Sequence, residues 1–280
     1  MNKLSIGRQA EIIKVLCEGN SIRSTARITN SAINTVVKML REVGAACLEY
    51  QDEHLRNLSC KHIQCDEIWS FCYAKQKNVP NDKQGQFGCG DIWTWTAIDA
   101  DTKLVPSWLV GLRDAGCAYK FMNDLKGRLA NRVQLTTDGH KVYLWAVEDA
   151  FGSEVDYAML VKLYGQEPEN EKRYSPAQCI VAEPHVIQGN PDPNKISTSF
   201  AERQNLTMRM SMRRFTRLTN AFSKKLENHI FALALYFMHY NFARPHKTLA
   251  NPYPRTPAMA AGLTNDIWTF EEIVKLVNSK

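Results

Sequence analysis

Three acidic residues attract attention for what they could do together. Asp66 sits inside the segment CDEIW, Asp138 closes RVQLTTD just before Gly139, and Glu202 opens SFAERQN. In-line displacement at phosphorus is served by two hard cations about 3.5–4 Å apart, one on the attacking and one on the leaving oxygen. Such cations take carboxylate oxygens as ligands. A chain that does this chemistry must bring acids from distant segments to one point, best at strand ends and at the start of a helix. Asp138 lies 72 residues after Asp66, and Glu202 a further 64 on, which suits acids on a first strand, a fourth strand and the helix after a fifth. Each acid alone also has an ordinary role: Asp138 could cap a helix, and Glu202 could simply complement a helix dipole. Because neighbours on a strand point to opposite faces, only one of Asp66 and Glu67 is expected to share the site. Periodicity alone does not choose between them.

Directly after Glu202 comes a block of one charge sign. Residues 203–225 hold Arg203, Arg209, Arg213, Arg214, Arg217, Lys224 and Lys225 and no acid at all. A solvated helix face usually mixes both signs, whereas cations interleaved with Leu206, Met208, Met210 and Phe215 let a helix pack inward and neutralise phosphates outward. Arg203, Asn205, Arg209, Arg213, Arg214 and Arg217 are the candidate nucleic-acid contacts of this segment. Arg209 lies seven residues after Glu202, two helical turns on, so the two share a face.

The elements that must position these groups can be read from period and punctuation. Ile12, Ile13, Val15 and Leu16 form a helical stripe that stops at Gly19-Asn20. Ser21 can cap a short second helix, and Ile33, Val36, Val37 and Leu40 mark a third. Asn34, Lys38 and Arg41 would then face outward, as on a recognition helix entering a major groove. Residues 60–73 alternate like a strand, with Ile63, Cys65, Trp69, Phe71 and Tyr73 on one side and Asp66, Ile68 and Cys72 on the other. Strands over 92–99 and 103–111 complete an antiparallel meander around the turn at 99–102. A helix over 115–130 capped by Asp114, a strand over 132–138, a helix over about 140–150 and a strand over 155–164 follow. Residues 165–198 contain five of the eleven prolines and read as a long irregular loop. A helix resumes near Ser199, and a long helical tail runs from Phe222 to Tyr240 before PYPRTP breaks it. The fold class is α/β with a mixed sheet. The domains expected are a helix-turn-helix over 1–45, a linker over 46–59, a catalytic domain over 60–245 and a C-terminal extension over 246–280.

Composition is that of an ordinary globular chain, 44% hydrophobic and 23% charged with a net charge of +6. The eight cysteines are scattered without a CxxC pair, which argues against a zinc ribbon and for buried thiols in a reducing cytoplasm. No apolar run is long enough to span a membrane.

The stretches CDEIWSF, LTTDGH, ISTSFAERQNLTMRMSMRRFTRLTNAFSKK and HYNFARPHKTL resemble the insertion-sequence-one transposases. These are bacterial mobile-element enzymes of the DDE superfamily with a ribonuclease-H-like, retroviral-integrase-like catalytic domain. The resemblance covers nearly the whole chain. It implies cleavage at terminal inverted repeats dependent on Mg2+, or Mn2+ in its place, with two ions per site, followed by attack of the freed 3′-hydroxyl on target DNA. Asp66, Asp138 and Glu202 would take the metal-ligand roles, and Arg209 matches the basic residue that follows the glutamate in many relatives. It further implies double-stranded DNA as partner, a homodimer or larger synaptic assembly, and a cytoplasmic, nucleoid-associated protein. Zinc is not expected, because the N-terminal cysteine ribbon of some relatives is missing. Two other classes stay open: a domesticated or inactive helix-turn-helix regulator, and a ribonuclease-H-like nuclease without strand transfer.

Overall fold

The computed structural model describes residues 4–165, 179–216 and 221–278. Three helices come first, α1 (Ile6–Cys17), α2 (Ile22–Ile28) and α3 (Ile33–His54). Ser5 and Ser21 cap the first two, each side chain accepting a backbone N–H of the first turn. Their apolar faces meet through Ile12, Ile13, Val36, Leu40 and Val43, all buried.

Strands β1 (His62–Cys72), β2 (Gly90–Asp99) and β3 (Ser107–Gly111) form the expected meander, and β4 (Val133–Asp138) and β5 (Val155–Tyr164) follow, with β6 (Cys179–Gln188) last. Helix α4 (Ala115–Lys126) precedes β4 and α5 (Val142–Phe151) precedes β5. The sheet order is β3-β2-β1-β4-β5-β6. Strands β1, β4 and β5 run parallel, while β2 and β6 are antiparallel to their neighbours. A 3-2-1-4-5 order in which only β2 runs backwards is that of the ribonuclease-H-like fold. Placing β1 and β4 side by side at the sheet centre is the feature of that order that matters for chemistry.

Both faces of the sheet centre are covered. Helices α6 (Ser199–Ser211) and α7 (Leu226–Met238) lie on the face that carries Asp66 and Trp108, whose partners there are Asn205 and Phe237. Helices α4 and α5 cover the other, where Trp95 meets Phe121 and Tyr143. This double cover explains why β1 is buried almost throughout instead of alternating in and out. Two short helices, α8 (Pro257–Ala260) and α9 (Phe270–Lys275), end the chain. The segment after α7 is a π-helical turn over 239–243 that buries His239, Tyr240 and Asn241. Asn241 there bonds both ways to the backbone of Val105 at 3.0 Å.

Two expectations need correction. Residues 46–59 are not a linker throughout: α3 continues to His54 and packs along α7. Arg128 clamps its end, donating to Gln51 O, Leu55 O and Asp52 Oδ1 at 3.2, 3.3 and 2.8 Å. In the C-terminal extension, α9 packs on α1. The loop expected over 165–198 contains β6, an edge strand exposed on both faces and so without an alternating pattern to betray it; residues 166–178 lie outside the described residues.

The α3–α7 contact depends on Gly44, whose missing side chain lets the helices touch. A Cβ there would lie 2.6 Å from Phe231 Cβ and 2.7 Å from its carbonyl oxygen. Gly44→Ala is expected to destabilise the protein by about 2 kcal/mol despite alanine's better helix propensity, because backbone has to move. Gly7→Ala, with nothing within 4 Å, should cost nothing. Urea denaturation of the two variants measures the difference, and equal midpoints would refute the close-crossing account.

Candidate active site

Asp66 and Asp138 are brought together by strand register. Parallel pairing of β1 with β4 ends at Cys65 opposite Thr137, so the next residues, Asp66 and Asp138, sit abreast. Since β4 stops there, no strand pairs with the flank of β1 immediately beyond Asp66. Glu67 therefore reaches the same spot from the opposite face, and one oxygen each of Asp66, Glu67 and Asp138 lie within 4.8 Å of one another. The expectation that only one of Asp66 and Glu67 could share the site is thus corrected: alternation holds along the strand, but the strand end lets both in.

Such crowding is costly, and the pKa directions record it. Burial pushes the Asp66 carboxyl up, to about 7, with Glu67, Asp138 and Glu202 adding repulsion. Glu67 is raised by burial and by Asp138, against the opposing pull of Arg113. Arg113, just beyond β3, is the cation that holds the group together: its Nε donates to Glu67 Oε1 at 2.6 Å, and its Nη2 lies 3.8 Å from Asp138 Oδ2. Tyr143 Oη donates to the second Glu67 oxygen at 2.9 Å. Asp138 accepts the backbone N–H of His140 at 3.0 Å, as an acid at a strand-to-helix turn does.

Helix α6 approaches from the other side. Asn205, one turn after Glu202, donates to Asp66 Oδ2 at 2.8 Å while Glu67 N donates to Oδ1 at 2.8 Å. Glu202 itself is outside the cluster of three. Its carboxylate pairs with Lys162 of β5 and accepts from Thr198 Oγ1 at 2.5 Å, yet it stays close enough to raise Asp66. Sequence reasoning missed Glu67 as a member of the cluster, Arg113 and Lys162. A lone arginine in a loop and a lone lysine on a strand carry no local signal; only the tertiary fold makes them partners.

The residues fit divalent cations. Every donor is a hard oxygen, the carboxylates repel one another in a way only positive charge relieves, and Asn205 Oδ1 is a buried acceptor with no partner among the described residues.

The candidate nucleic-acid residues divide. Asn34, Lys38 and Arg41 are exposed on α3, with Lys38 3.7 Å from Glu42 and Arg41 3.0 Å from Glu227 of α7. Arg203 and Arg213 are exposed and Arg209 half-buried. Asn205 is buried against Asp66 and is corrected from a DNA contact to a partner of the acids. Arg214 is likewise turned inward, donating to Ser223 Oγ and Asn228 O at 3.1 and 3.2 Å, and burial lowers its pKa to about 10. Arg217 lies outside the described residues.

No protein-family model and no curated protein matches the sequence. Among solved structures, the chain is similar to the piggyBac transposase synaptic complex with hairpin DNA, at 9% identity over 97% of this chain and 69% of that one, with a TM-score of 0.40. It is also similar to the Mos1 strand transfer complex, at 13% over 100% and 79% with 0.33, and to the Mos1 mariner paired end complex with Mn, at 11% over 100% and 80% with 0.33. At these values the likeness establishes no relationship, and the fold is read from strand order and register.

The raised Asp66 has a thermodynamic consequence. Its folded value of about 7 lies above the ordinary 3.8, so without cations the group supports folding at low pH and opposes it as pH climbs from 3.8 through 7. Asp66→Asn removes that opposition, and Asn205 can turn its unpartnered oxygen to the new amide. In chelator the variant should be more stable than wild type at pH 8 by about 2 kcal/mol, with the gain shrinking toward pH 4. Thermal melts at the two pH values test this, and a variant less stable at pH 8 would show that the acids are not in conflict.

Proposed function

We propose that this protein is a DNA transposase that cuts and joins DNA at a divalent-cation site made by Asp66, Asp138 and Glu202. The observation that carries the reading is the pairing of Asp66 with Asp138 at the ends of adjacent central parallel strands, under a helix that bonds to Asp66 one turn after Glu202. Asp66, not Glu67, is assigned as the ligand. Both Glu67 oxygens are already held by Arg113 and Tyr143, whereas Asp66 faces the helix that bears Glu202.

Two Mg2+ ions, or Mn2+ in their place, would neutralise the attacking and leaving oxygens at phosphorus. The chain's own residues prepare for that. Arg113 and Tyr143 fix Glu67, Asn205 orients Asp66, and Lys162 holds Glu202 until a competing charge draws the pair apart. Exposed Arg203 and Arg213 on and after α6, with half-buried Arg209, supply phosphate contacts beside the acids. Asn34, Lys38 and Arg41 on α3 are the candidates for reading an element's terminal repeats. The insertion-sequence-one resemblance of the motifs supports the same reading, and with it two ends handled by a dimer or larger assembly.

Incubation of the purified protein and Mg2+ with DNA carrying the ends that flank its gene tests the proposal, the expected products being cut ends and strand-transfer joints. Asp66→Asn, Asp138→Asn and Glu202→Gln should each abolish cleavage while leaving DNA binding within about twofold, since each removes a metal ligand and no phosphate contact. Glu67→Gln should slow cleavage about 10–100-fold, as loss of a supporting residue does. Cleavage without joining would favour a nuclease, and binding without cleavage a regulator. Separately, Arg203→Ala combined with Arg213→Ala should lower the salt slope of binding to unrelated DNA by about 2; an unchanged slope would remove this surface from the DNA path.

A further inference from the structure

Beside the acids, the α4–α5 face of the sheet carries a row of aromatic rings, of which Trp69 and Trp93 stay partly exposed. Glu67, Trp69 and Phe71 follow one another on that face of β1, and Trp69 is paired with Trp93 of β2 while Glu67 is paired with Trp95. Trp95 behaves as a core residue: it is fully buried and its indole N–H donates to Leu112 O at 3.0 Å. Trp69 and Trp93, one step further out, remain partly exposed, and neither indole N–H has a hydrogen-bond partner among the described residues. The row continues through Phe71, 5.8 Å from Trp69, to Phe222, 5.0 Å from Phe71. Phe222 comes from the chain that leaves the basic block, so the row starts at the acids and ends where the arginines do.

Cations flank these rings. The Arg113 guanidinium lies 4.8 Å from the Trp93 ring centre while also holding Glu67, and Lys75 Nζ lies 6.0 Å from that of Phe71. Partly exposed rings interleaved with positive charge are what a single-stranded nucleic acid binds, its bases stacking on the rings and its backbone following the charges. Duplex DNA offers no free base faces to such a surface. Ring centres 5.8 and 5.0 Å apart along the row exceed the roughly 3.4 Å rise of stacked duplex bases, which suits bases drawn apart from one another.

We propose that the ledge formed by Trp93, Trp69 and Phe222, seated on the buried Phe71, binds the unpaired strand next to the bond being cut, by stacking on its bases. The proposal deepens the DNA-cutting reading above and rests on it for the origin of that strand. Base stacking then adds to phosphate contact in presenting the strand to Asp66 and Asp138.

The test uses the full-length protein in chelator, where no cutting occurs, with a short oligothymidine and a matched blunt duplex. Oligothymidine should quench tryptophan emission, and Trp69→Ala and Trp93→Ala should each weaken its binding about tenfold while duplex affinity changes less than twofold. Trp69→Phe, which keeps a ring and the packing against Phe71, should retain most of the affinity. Wild-type oligothymidine affinity in both alanine variants, or an equal loss for duplex and single strand, would overturn the ledge. A ledge that passes in a protein unable to cut DNA with Mg2+ would leave the single-strand site standing and sink the transposase reading; cutting without any effect of Trp69 or Trp93 would do the reverse.

Discussion

Three carboxylates held within 4.8 Å of one another, partly out of water, are the condition around which this protein is arranged. Like charges so placed destabilise the fold, and the chain tolerates them through specific countermeasures: Arg113 spanning Glu67 and Asp138, Asn205 and a backbone N–H on Asp66, Tyr143 on Glu67. The three side chains come from three different elements, the turn after β3, helix α6 and helix α5, and the backbone N–H from β1 itself. The sheet order that sets β1 beside β4, and the helices packed on both faces, are what bring those elements to one point. A site that costs stability and is supported from so many directions is the pattern expected where function, and not folding, set the residue choice.

Glu202 behaves differently. It sits on the same helix as Asn205 but is occupied by Lys162 and Thr198, so the acids described here form a set of three plus one parked nearby. The ion pair joins α6 to β5, which pairs on its other side with the exposed edge strand β6.

Much of this was legible in the sequence, for identifiable reasons. Asp66 and Asp138 were readable because strand alternation and a strand-to-turn junction leave marks on neighbouring residues. Glu202 stands where the sequence put it, at the head of a helix that leads into the basic block, but outside the cluster of three. Glu67 was misjudged, since the rule that strand neighbours diverge fails where the adjoining strand ends, and strand length is a tertiary property. Asn205 and Arg214 were assigned outward from charge and spacing, but their partners, Asp66 and Ser223, come from β1 and the segment before α7. The length of α3 was hidden because its rear half reads as a linker in the sequence, and what holds it as helix, the close crossing of Gly44 with Phe231 on α7, comes from far along the chain. Strand β6 was hidden for want of a buried face.

That same α3 spans 22 residues, a rod of about 33 Å at 1.5 Å per residue. Its front half displays Asn34, Lys38 and Arg41, and its rear half is pinned by Arg128 and seated on α7. One unbroken helix thus joins the face that carries Asn34, Lys38 and Arg41 to α7, touching it both at the Arg41–Glu227 pair and at the Gly44–Phe231 crossing, so the two ends are parts of one rigid element.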